Sequence, residues 1–531
     1  MTVAEYIANE LYSHGVRYVF GIPGGPSIPY MEAFKSAGIE FILTSNEASA
    51  AFMADVTARL TGIPGVCHAT FGPGATNIST GIGGALLDRS PLIVFTSEMS
   101  DAMLNRTAQM NINHQKFFEP ITKATFRLNS KNVPEVMDSA WRICQESYPG
   151  PVHIGLPSDI SDIEVEETSA IGYIRENNFH SNNIQKVLSL LDNTRRPVIA
   201  IGLTAARLNL KSEILSFLDA FKIPVVITPM AKGLIPEDHP CFAGVLFHSL
   251  SDYLEDIYGK SDLVIGIGYD PVEFNYEGWI PDVPLLHFDT RETDMPSGVN
   301  VTQFIGPAEE WFGILKNINA GSLVFEKTII KGIRDEMCSV FNGFTGHFGP
   351  AAALRILQDE LPEDSIVTSD VGSHLHLIGQ FWNTHEKGKL IMTNGWSSMG
   401  FGIPAAMAAQ INNPDSTVVC ITGDGGFLMM AGEMVTLKRY NLPVIIVVFS
   451  DGELNLIKVK QSWKDLPAYG TLLYQSDLFD ADMFLGIKVI RADSIEGMRK
   501  ATIEALSVNE PVIINAVIDP DDYKWLIVRR G

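Results

Sequence analysis

Residues Val418 to Glu453 read VVCITGDGGFLMMAGEMVTLKRYNLPVIIVVFSDGE, and the order of these residues decides the fold. Val418 to Thr422 is a short apolar, β-rich run that stops at Gly423-Asp424-Gly425. Phe427 to Arg439 then mixes apolar and polar residues at helical spacing, Asn441-Leu442-Pro443 ends that helix, and Val444 to Phe449 is a second buried-strand run. This is one β-α-β unit, and its right-handed crossover makes the two strands parallel. Both loops after the strands therefore open at the same sheet edge, where open α/β sheets bind ligands. Asp424 and Asp451, 27 residues apart, face one crevice. Two converging carboxylates beside glycines that admit a close backbone suit a hard, oxygen-seeking cation holding a diphosphate. Mg²⁺ or Ca²⁺ fits that donor set, and zinc does not.

The chain has 531 residues, 46% of them hydrophobic, enough for about three domains with sizeable cores. Thirty-nine basic against 62 acidic residues leave a net charge of −23, which disfavours nucleic acid and anionic lipid but leaves room for a local pocket for a small anion. The five cysteines, Cys67, Cys144, Cys241, Cys338 and Cys420, lie far apart with no CxxC pair and read as reduced core thiols. The first residues, MTVAEYIANELYSHGV, begin an amphipathic helix rather than an export signal, and no run of about 18 uncharged apolar residues is present for a membrane span. The expectation is a cytoplasmic protein.

The opening unit has a second version near the N-terminus. Gly65 to Phe71 is an apolar run, Gly72-Pro73-Gly74 a turn, Ala75 to Asp88 a small-residue helix, and Leu92 to Thr96 a strand after Ser90-Pro91. The interval from glycine to proline is 17 residues from Gly74 to Pro91 and 18 from Gly425 to Pro443, a weak internal repeat. Just before it, Glu47 stands at the start of a helix whose Ala48, Ala51, Phe52 and Ala54 leave it few polar neighbours. Such a Glu ordinarily compensates the helix dipole.

Taken together, these segments resemble the thiamine diphosphate (ThDP) enzymes of the acetolactate synthase and pyruvate oxidase superfamily. The resemblance runs through Glu47, Met53-Ala-Asp55, Ala58 to Gly62, Gly72-Pro-Gly-Ala-Thr-Asn77, Asp88 to Leu92, and Gly423-Asp424-Gly425 followed by Asp451. It implies an α/β chain of three domains, each a mainly parallel sheet flanked by helices: a pyrimidine-binding domain over 1–162, a central domain over 183–325 and a diphosphate-binding domain over 345–531. It further implies that Asp424, Asp451 and the Glu453 carbonyl bind Mg²⁺, and that Glu47 bonds a ring nitrogen of the aminopyrimidine. In this family the cofactor lies between the first domain of one subunit and the third of another, which implies a homodimer or homotetramer in which Glu47 serves the neighbour's Asp424.

The stretch from Glu164 to Asn182 is acidic and polar and reads as a linker. Val198 to Gly202, Val225 to Thr228, Leu263 to Gly268 and Pro284 to Phe288 are short apolar strands alternating with helical stretches, a parallel α/β pattern. Gly266-Ile-Gly268 and Gly81-Ile-Gly83 each lack the context of a dinucleotide fingerprint, and no GxxxxGK[ST] occurs. The glycine-rich turn near Gly202 and the arginine near Tyr269 found in the flavin-binding relatives are absent, and Gly268-Tyr-Asp-Pro-Val-Glu273 resembles the catabolic acetolactate synthases, so FAD is not expected. In the third domain the strand Ile366 to Ser369 leads to Asp370-Val-Gly372-Ser373-His374, whose Gly-Ser-His resembles the same enzymes where the turn meets the diphosphate. Thr393 to Pro404 resembles the segment beneath the cofactor, with Gly395 and Ser397 beside it and Met399 wedged between its two rings. Gly423, Gly425 and Gly426 complete the expected cofactor contacts. His374 and His376 otherwise read as solvated loop residues.

Departures from the family bear on the substrate. Ser45-Asn46 replaces Arg-His before the acid, and Ser450 replaces Asn before the second metal ligand. A substrate-side Gln is matched loosely by Gln109 or Gln115, and another is replaced by Lys460, a cation able to bind a carboxylate or phosphate. The expected reaction is decarboxylation of a 2-oxo acid, pyruvate in the first instance, with ligation to a second carbonyl compound. The alternatives are a non-ligating decarboxylase and a non-catalytic ThDP-binding homologue.

Overall fold

The structure is a computed structural model that describes residues 1–165, 184–273, 283–295, 298, 300–324 and 327–526. The expected linker falls almost wholly outside these residues. Three sheets follow one another along the chain. The first contains β1 (Tyr18–Ile22), β2 (Glu40–Leu43), β3 (Gly65–Ala69), β4 (Leu92–Glu98), β5 (Ala124–Arg127) and β6 (Pro151–Pro157) in the order β2-β1-β3-β4-β6-β5, all parallel. The second contains β7 (Pro197–Ile201), β8 (Val225–Ile227), β9 (Phe242–Val245), β10 (Leu263–Ile267), β11 (Leu285–Asp289) and β12 (Val301–Ile305) in the order β12-β11-β10-β7-β8-β9, again all parallel. The third contains β13 (Ile366–Ser369), β14 (Leu390–Ile391), β15 (Val418–Gly423), β16 (Ile445–Ser450), β17 (Met483–Phe484), β18 (Ile487–Ala492) and β19 (Val512–Val517). Its order is β14-β13-β15-β16-β19-β18-β17, parallel except for the β17–β18 hairpin.

The opening unit is therefore β15 and β16, paired in parallel from Val419↔Ile445 to Gly423↔Phe449. Both strands are buried almost throughout because helices cover both faces of the sheet, which is why they read as unbroken apolar runs. The helix between them differs from the expectation of one segment. It is two helices, Asp424–Met430 and Glu433–Arg439, because Ser45 Oγ bonds the Gly432 carbonyl (2.9 Å) and the chain tightens there, Val435 N reaching back to Gly432 O. The small-residue helix of the first unit likewise divides, into Pro73–Asn77 and Ser79–Leu87.

The first and third domains pack helix to helix. Ala50, Ala51, Ala54 and Ala58 of the Glu47–Thr61 helix share one core with Ala405, Ala406, Ala408 and Ala409 of the Gly402–Asn412 helix, and these small side chains let the two backbones approach closely. Four cysteines are buried, but Cys338 is exposed on the Lys327–Gly343 helix, so the expectation of five core thiols is corrected there.

Candidate functional site

The Asp424 carboxylate sits where β15 meets its helix and is tied down on all sides. Its Oδ2 accepts from the Tyr474 hydroxyl (2.7 Å), Gly452 N (2.8 Å) and Asp451 N (3.2 Å), and its Oδ1 from Gly425 N (2.8 Å). Asp451, on the loop after β16, accepts from Glu453 N at 3.1 Å. The crossover thus brings the two acids together at one sheet edge. Burial raises the Asp424 carboxyl above its ordinary range in spite of these bonds. Burial first, and then the charge of Asp424, push Asp451 up to about 7. Two buried like charges are each stabilised by a divalent cation between them, and the donor set is all oxygen. The Glu453 carboxylate pairs with Lys458, while its carbonyl accepts from Asn455 N (2.9 Å) and keeps a second lone pair for a metal.

The donors a diphosphate needs are present beside this pair. Ser373 Oγ and His374 Nε2 are sealed from solvent and have no hydrogen-bond partner among the described residues. The His374 ring lies along the glycine turn, where a Cβ on Gly423 would stand 3.5 Å from its Cε1. At Gly425 a Cβ would fall 2.9 Å from Met399 Cε, while at Gly426 one would fall 2.8 Å from the anchored Asp370 Cγ, so Gly426 requires glycine for close approach. The residues fit both a divalent cation and the diphosphate it would hold.

Met399 is positioned from β13. Buried Asp370, pushed up to about 6 by burial, accepts from Gly400 N (2.9 Å) and Gly402 N (3.2 Å) and so fixes the turn that carries Met399. The same segment is anchored to the first domain, where Asp88 Oδ1 accepts from Gly395 N (2.8 Å) while Arg59 bridges Asp88 and Asp55. Ser397 adopts φ +50° with its hydroxyl on Asn394 O (2.6 Å), a left-handed turn residue half-way along the segment.

Glu47 opens its helix directly after Asn46, whose side chain caps Ala48 N at 2.8 Å. Its carboxylate accepts from Asn77 Nδ2 (3.2 Å) and lies against Gly74. No hydrogen bond or ion pair among the described residues joins Glu47 to the Asp424 cluster. The residues before it are held instead by buried Glu433, which accepts from Ser45 N (3.0 and 3.1 Å) and Asn46 N (3.0 Å). Arg439 and Tyr440 grip Leu43, the last residue of β2, just before that loop.

The loosely matched residues are placed as follows. Gln109 is exposed, whereas Gln115 donates to Glu98 in a buried network with Arg127, His114 and His153. Lys460 is exposed on the Asn455–Ser462 helix. His374 and His376 are not loop residues: both lie on the Ser373–Phe381 helix, His374 buried and His376 with its Nδ1 sealed from solvent. The apolar positions on either side of them, Leu375 and Leu377, belong to a helix packed on the central domain. Sequence reasoning did not single out Asp370, Glu433 or Tyr474. Asp370 had a signal, an acid at a strand end before a glycine turn, as at Asp424. Glu433 and Tyr474 had none, since each works through partners distant in sequence.

Three family models match the chain: thiamine pyrophosphate enzyme, N-terminal TPP binding domain, over residues 1–117; central domain, over 184–310; and C-terminal TPP binding domain, over 370–516. Among similar proteins, a probable acetolactate synthase large subunit of Methanocaldococcus jannaschii is 31% identical, over 98% of this chain and 92% of its own. The acetolactate synthase isozyme 3 large subunit of Escherichia coli is 27% identical over 99% and 96%, and the acetolactate synthase large subunit of Corynebacterium glutamicum 28% identical over 100% and 89%.

Proposed function

Since the chain belongs to the thiamine pyrophosphate enzymes, we propose that it is an acetolactate synthase-type carboligase that decarboxylates pyruvate and joins the remaining acyl unit to a second 2-oxo acid. With pyruvate in both places, one carboxylate leaves as CO₂, the acyl carbon bonds to the carbonyl carbon of the second molecule, one proton is taken up, and the product is 2-acetolactate. Bound ThDP supplies the carbon nucleophile and the electron sink for this chemistry. The observation that carries the reading is the Asp424–Asp451 pair, two raised carboxyls at one sheet edge beside the unpartnered donors of Ser373 and His374.

In this reading Asp424, Asp451 and the Glu453 carbonyl hold Mg²⁺, and Ser373 and His374 donate to the diphosphate. Met399, with Gly395, Ser397 and the Gly423, Gly425 and Gly426 backbone, shapes the floor. Glu47 holds the proton exchanged with the pyrimidine ring nitrogen, a positioned general acid-base worth typically 10²–10⁴-fold. The centre is completed by a second copy of the chain. Two features support this: Glu47 is not joined to its own Asp424 cluster, and Leu428, Met429 and Val435 stand exposed on the two helices that follow Asp424.

Flavin is not required. At the strand ends of the central sheet, Leu203 N, which opens a helix there, is bonded by the buried Glu273 carboxyl (2.7 Å), and a Cβ at Gly202 would meet Tyr269 Cα at 2.7 Å. The helix amide that would meet a dinucleotide phosphate in such sheets is already taken by Glu273, which supports this reading.

The test is product analysis of purified protein with ThDP, Mg²⁺ and pyruvate, without FAD. Acetolactate, detected as acetoin after acid treatment, is expected; free acetaldehyde as the dominant product would mean the non-ligating decarboxylase, and no turnover with any 2-oxo acid would mean the non-catalytic homologue.

A further inference from the structure

The loop after β16 is overlaid by a later segment of the chain. Glu453 and Leu472 form an antiparallel bridge, Leu454 N donates to the Thr471 carbonyl (2.8 Å) and Leu473 N to the Gly452 carbonyl (2.8 Å). Thr471 to Tyr474 therefore runs back along the Asp451 loop as a strap, stitched to it by main-chain bonds. Side chains follow the same path. An added Cβ at Gly425 would stand 3.1 Å from Leu454 Cδ2 and 3.6 Å from Leu473 Cδ1, so loop and strap both close on the glycine turn after Asp424. Gly452 turns at φ +78°, a left-handed value that glycine adopts without strain, and a Cβ there would stand 3.6 Å from Tyr474 Cε2. The Tyr474 ring thus packs on the loop that carries Asp451.

At the end of this strap the Tyr474 hydroxyl donates to Asp424 Oδ2 (2.7 Å). Among the described residues it is the one side chain that bonds this carboxylate; the other three donors are the amides of Gly425, Asp451 and Gly452. Their distribution is uneven. Oδ2 accepts from Tyr474, Gly452 N and Asp451 N, whereas Oδ1 accepts from Gly425 N alone. An ionised carboxylate has about four lone-pair sites, two on each oxygen. Oδ2 is therefore filled by protein donors, and Oδ1 keeps a site.

We propose that Tyr474 is the positioning residue of the metal centre: its hydroxyl locks the Asp424 carboxylate so that Oδ1 is the oxygen left for a divalent cation. The inference rests on the metal assignment made above and deepens it by a residue that acts through Asp424. The two loop amides alone would saturate Oδ2 but hold it from one segment only. Tyr474 adds a third bond from a different segment, and with it the carboxylate cannot turn without breaking contact with the strap. Such outer partners of a metal ligand fix its orientation, and their loss typically costs 10–100-fold in metal affinity. Mg²⁺ should feel that loss most, because it demands near-ideal octahedral geometry, whereas Ca²⁺ accepts irregular sets of oxygens.

The test is calorimetric titration of parent and Tyr474→Phe with Mg²⁺, and separately with Ca²⁺, in excess ThDP and without substrate. Phe keeps the ring on Gly452 and removes only the hydroxyl. Half-saturating Mg²⁺ should rise about tenfold, the lower end of the usual range, and the Ca²⁺ value by a clearly smaller factor. Tyr474→Met, which removes ring and hydroxyl together, should weaken Mg²⁺ at least as much, and far-UV circular dichroism of the unloaded variants checks that both are folded. A Mg²⁺ shift below threefold in the folded variants overturns the proposal. So does an equal loss for both cations, the mark of a purely structural role. If the parent takes up ThDP equally well without any divalent cation, the metal assignment falls and this proposal with it. If the parent needs Mg²⁺ and Tyr474→Phe is indifferent, the metal assignment stands and this proposal alone falls.

Discussion

Replacing Glu433 should uncouple the placement of Glu47 from the binding of the cofactor. Glu433 is 1% exposed and accepts from Ser45 N, shared between its two oxygens, and from Asn46 N, with the Ser49 and Thr436 hydroxyls also bonding it. In Glu433→Ala both amides lose a charged acceptor. A hydrogen bond to a charged group contributes about 1.5–3 kcal/mol net, and water reaches exposed Ser45 in part, so the expected destabilisation is about 2–4 kcal/mol. Glu433→Gln keeps the shape and one carbonyl oxygen; Oε1 already takes a bond from each amide, so its cost should be about 1 kcal/mol. Because Glu47 directly follows the anchored pair, Ala should also lower kcat by about tenfold or more through misplacement, with Gln recovering most of it. ThDP and Mg²⁺ affinity should be preserved in both, since Asp424 opens the preceding helix and Asp451 lies on the loop after β16, both apart from the Glu433 contacts. Denaturant unfolding gives the stability change, calorimetry the affinity and steady-state turnover the rate. Equal destabilisation by Ala and Gln, or full turnover in Ala, would refute the reasoning.

Asp424→Ala and Asp451→Ala should each abolish tight, Mg²⁺-dependent ThDP binding in calorimetry, because the diphosphate charge loses the cation that neutralises it; retained affinity with unchanged Mg²⁺ dependence would remove the metal assignment. Glu47→Gln should bind ThDP nearly as well as the parent yet turn over about 10²-fold or more slowly, and an active variant would point to another proton-transfer group. Burial pushes Glu273 up to about 8, above its unfolded value near 4.3, so its folded form prefers the proton. Its contribution to stability is complete below that unfolded value and is lost as pH rises through about 8, at no more than about 1.4 kcal/mol per pH unit. Glu273→Gln, which cannot ionise, should therefore gain on the parent in Tm between pH 5 and pH 8, and a Tm difference that does not change with pH would count against a buried, protonated Glu273.

The sequence was most legible where chemistry and local structure coincide. β13 and β15 lie where their apolar runs end in glycine turns, and the 27-residue spacing does bring Asp424 and Asp451 into contact. It was least legible where a residue acts through a partner far along the chain. Glu433 is 388 residues from Ser45, and a lone Glu in the first turn of a helix looks the same whether it compensates a dipole or anchors another domain. Tyr474 lies in a loop with no periodicity, and only the folded chain carries its hydroxyl to Asp424. In the central sheet β9 and β12 escaped notice for different reasons. β9 is four residues with a glycine inside, and β12 is an edge strand whose alternate residues are half exposed, so neither presents the unbroken apolar run of β10. The histidines misled because the alternation His374-Leu375-His376-Leu377 masks a helix buried on more than one side.

The short stretch from Asp424 to Glu433 has a consequence for heredity. At one end it holds Asp424, and at the other Glu433 anchors the loop before Glu47; in the proposed two-chain centre these ends serve different centres. Alleles damaged at Asp424 and at Glu47 would complement each other in a mixed dimer, because one of its two centres receives an intact residue from each parent. An allele damaged at Glu433, which leaves the Asp424 end intact, would fall with the Glu47 group and be rescued by an Asp424 allele. Complementation along these helices then sorts residues by the centre they serve, and Glu433, far from Glu47 in sequence, sorts with it.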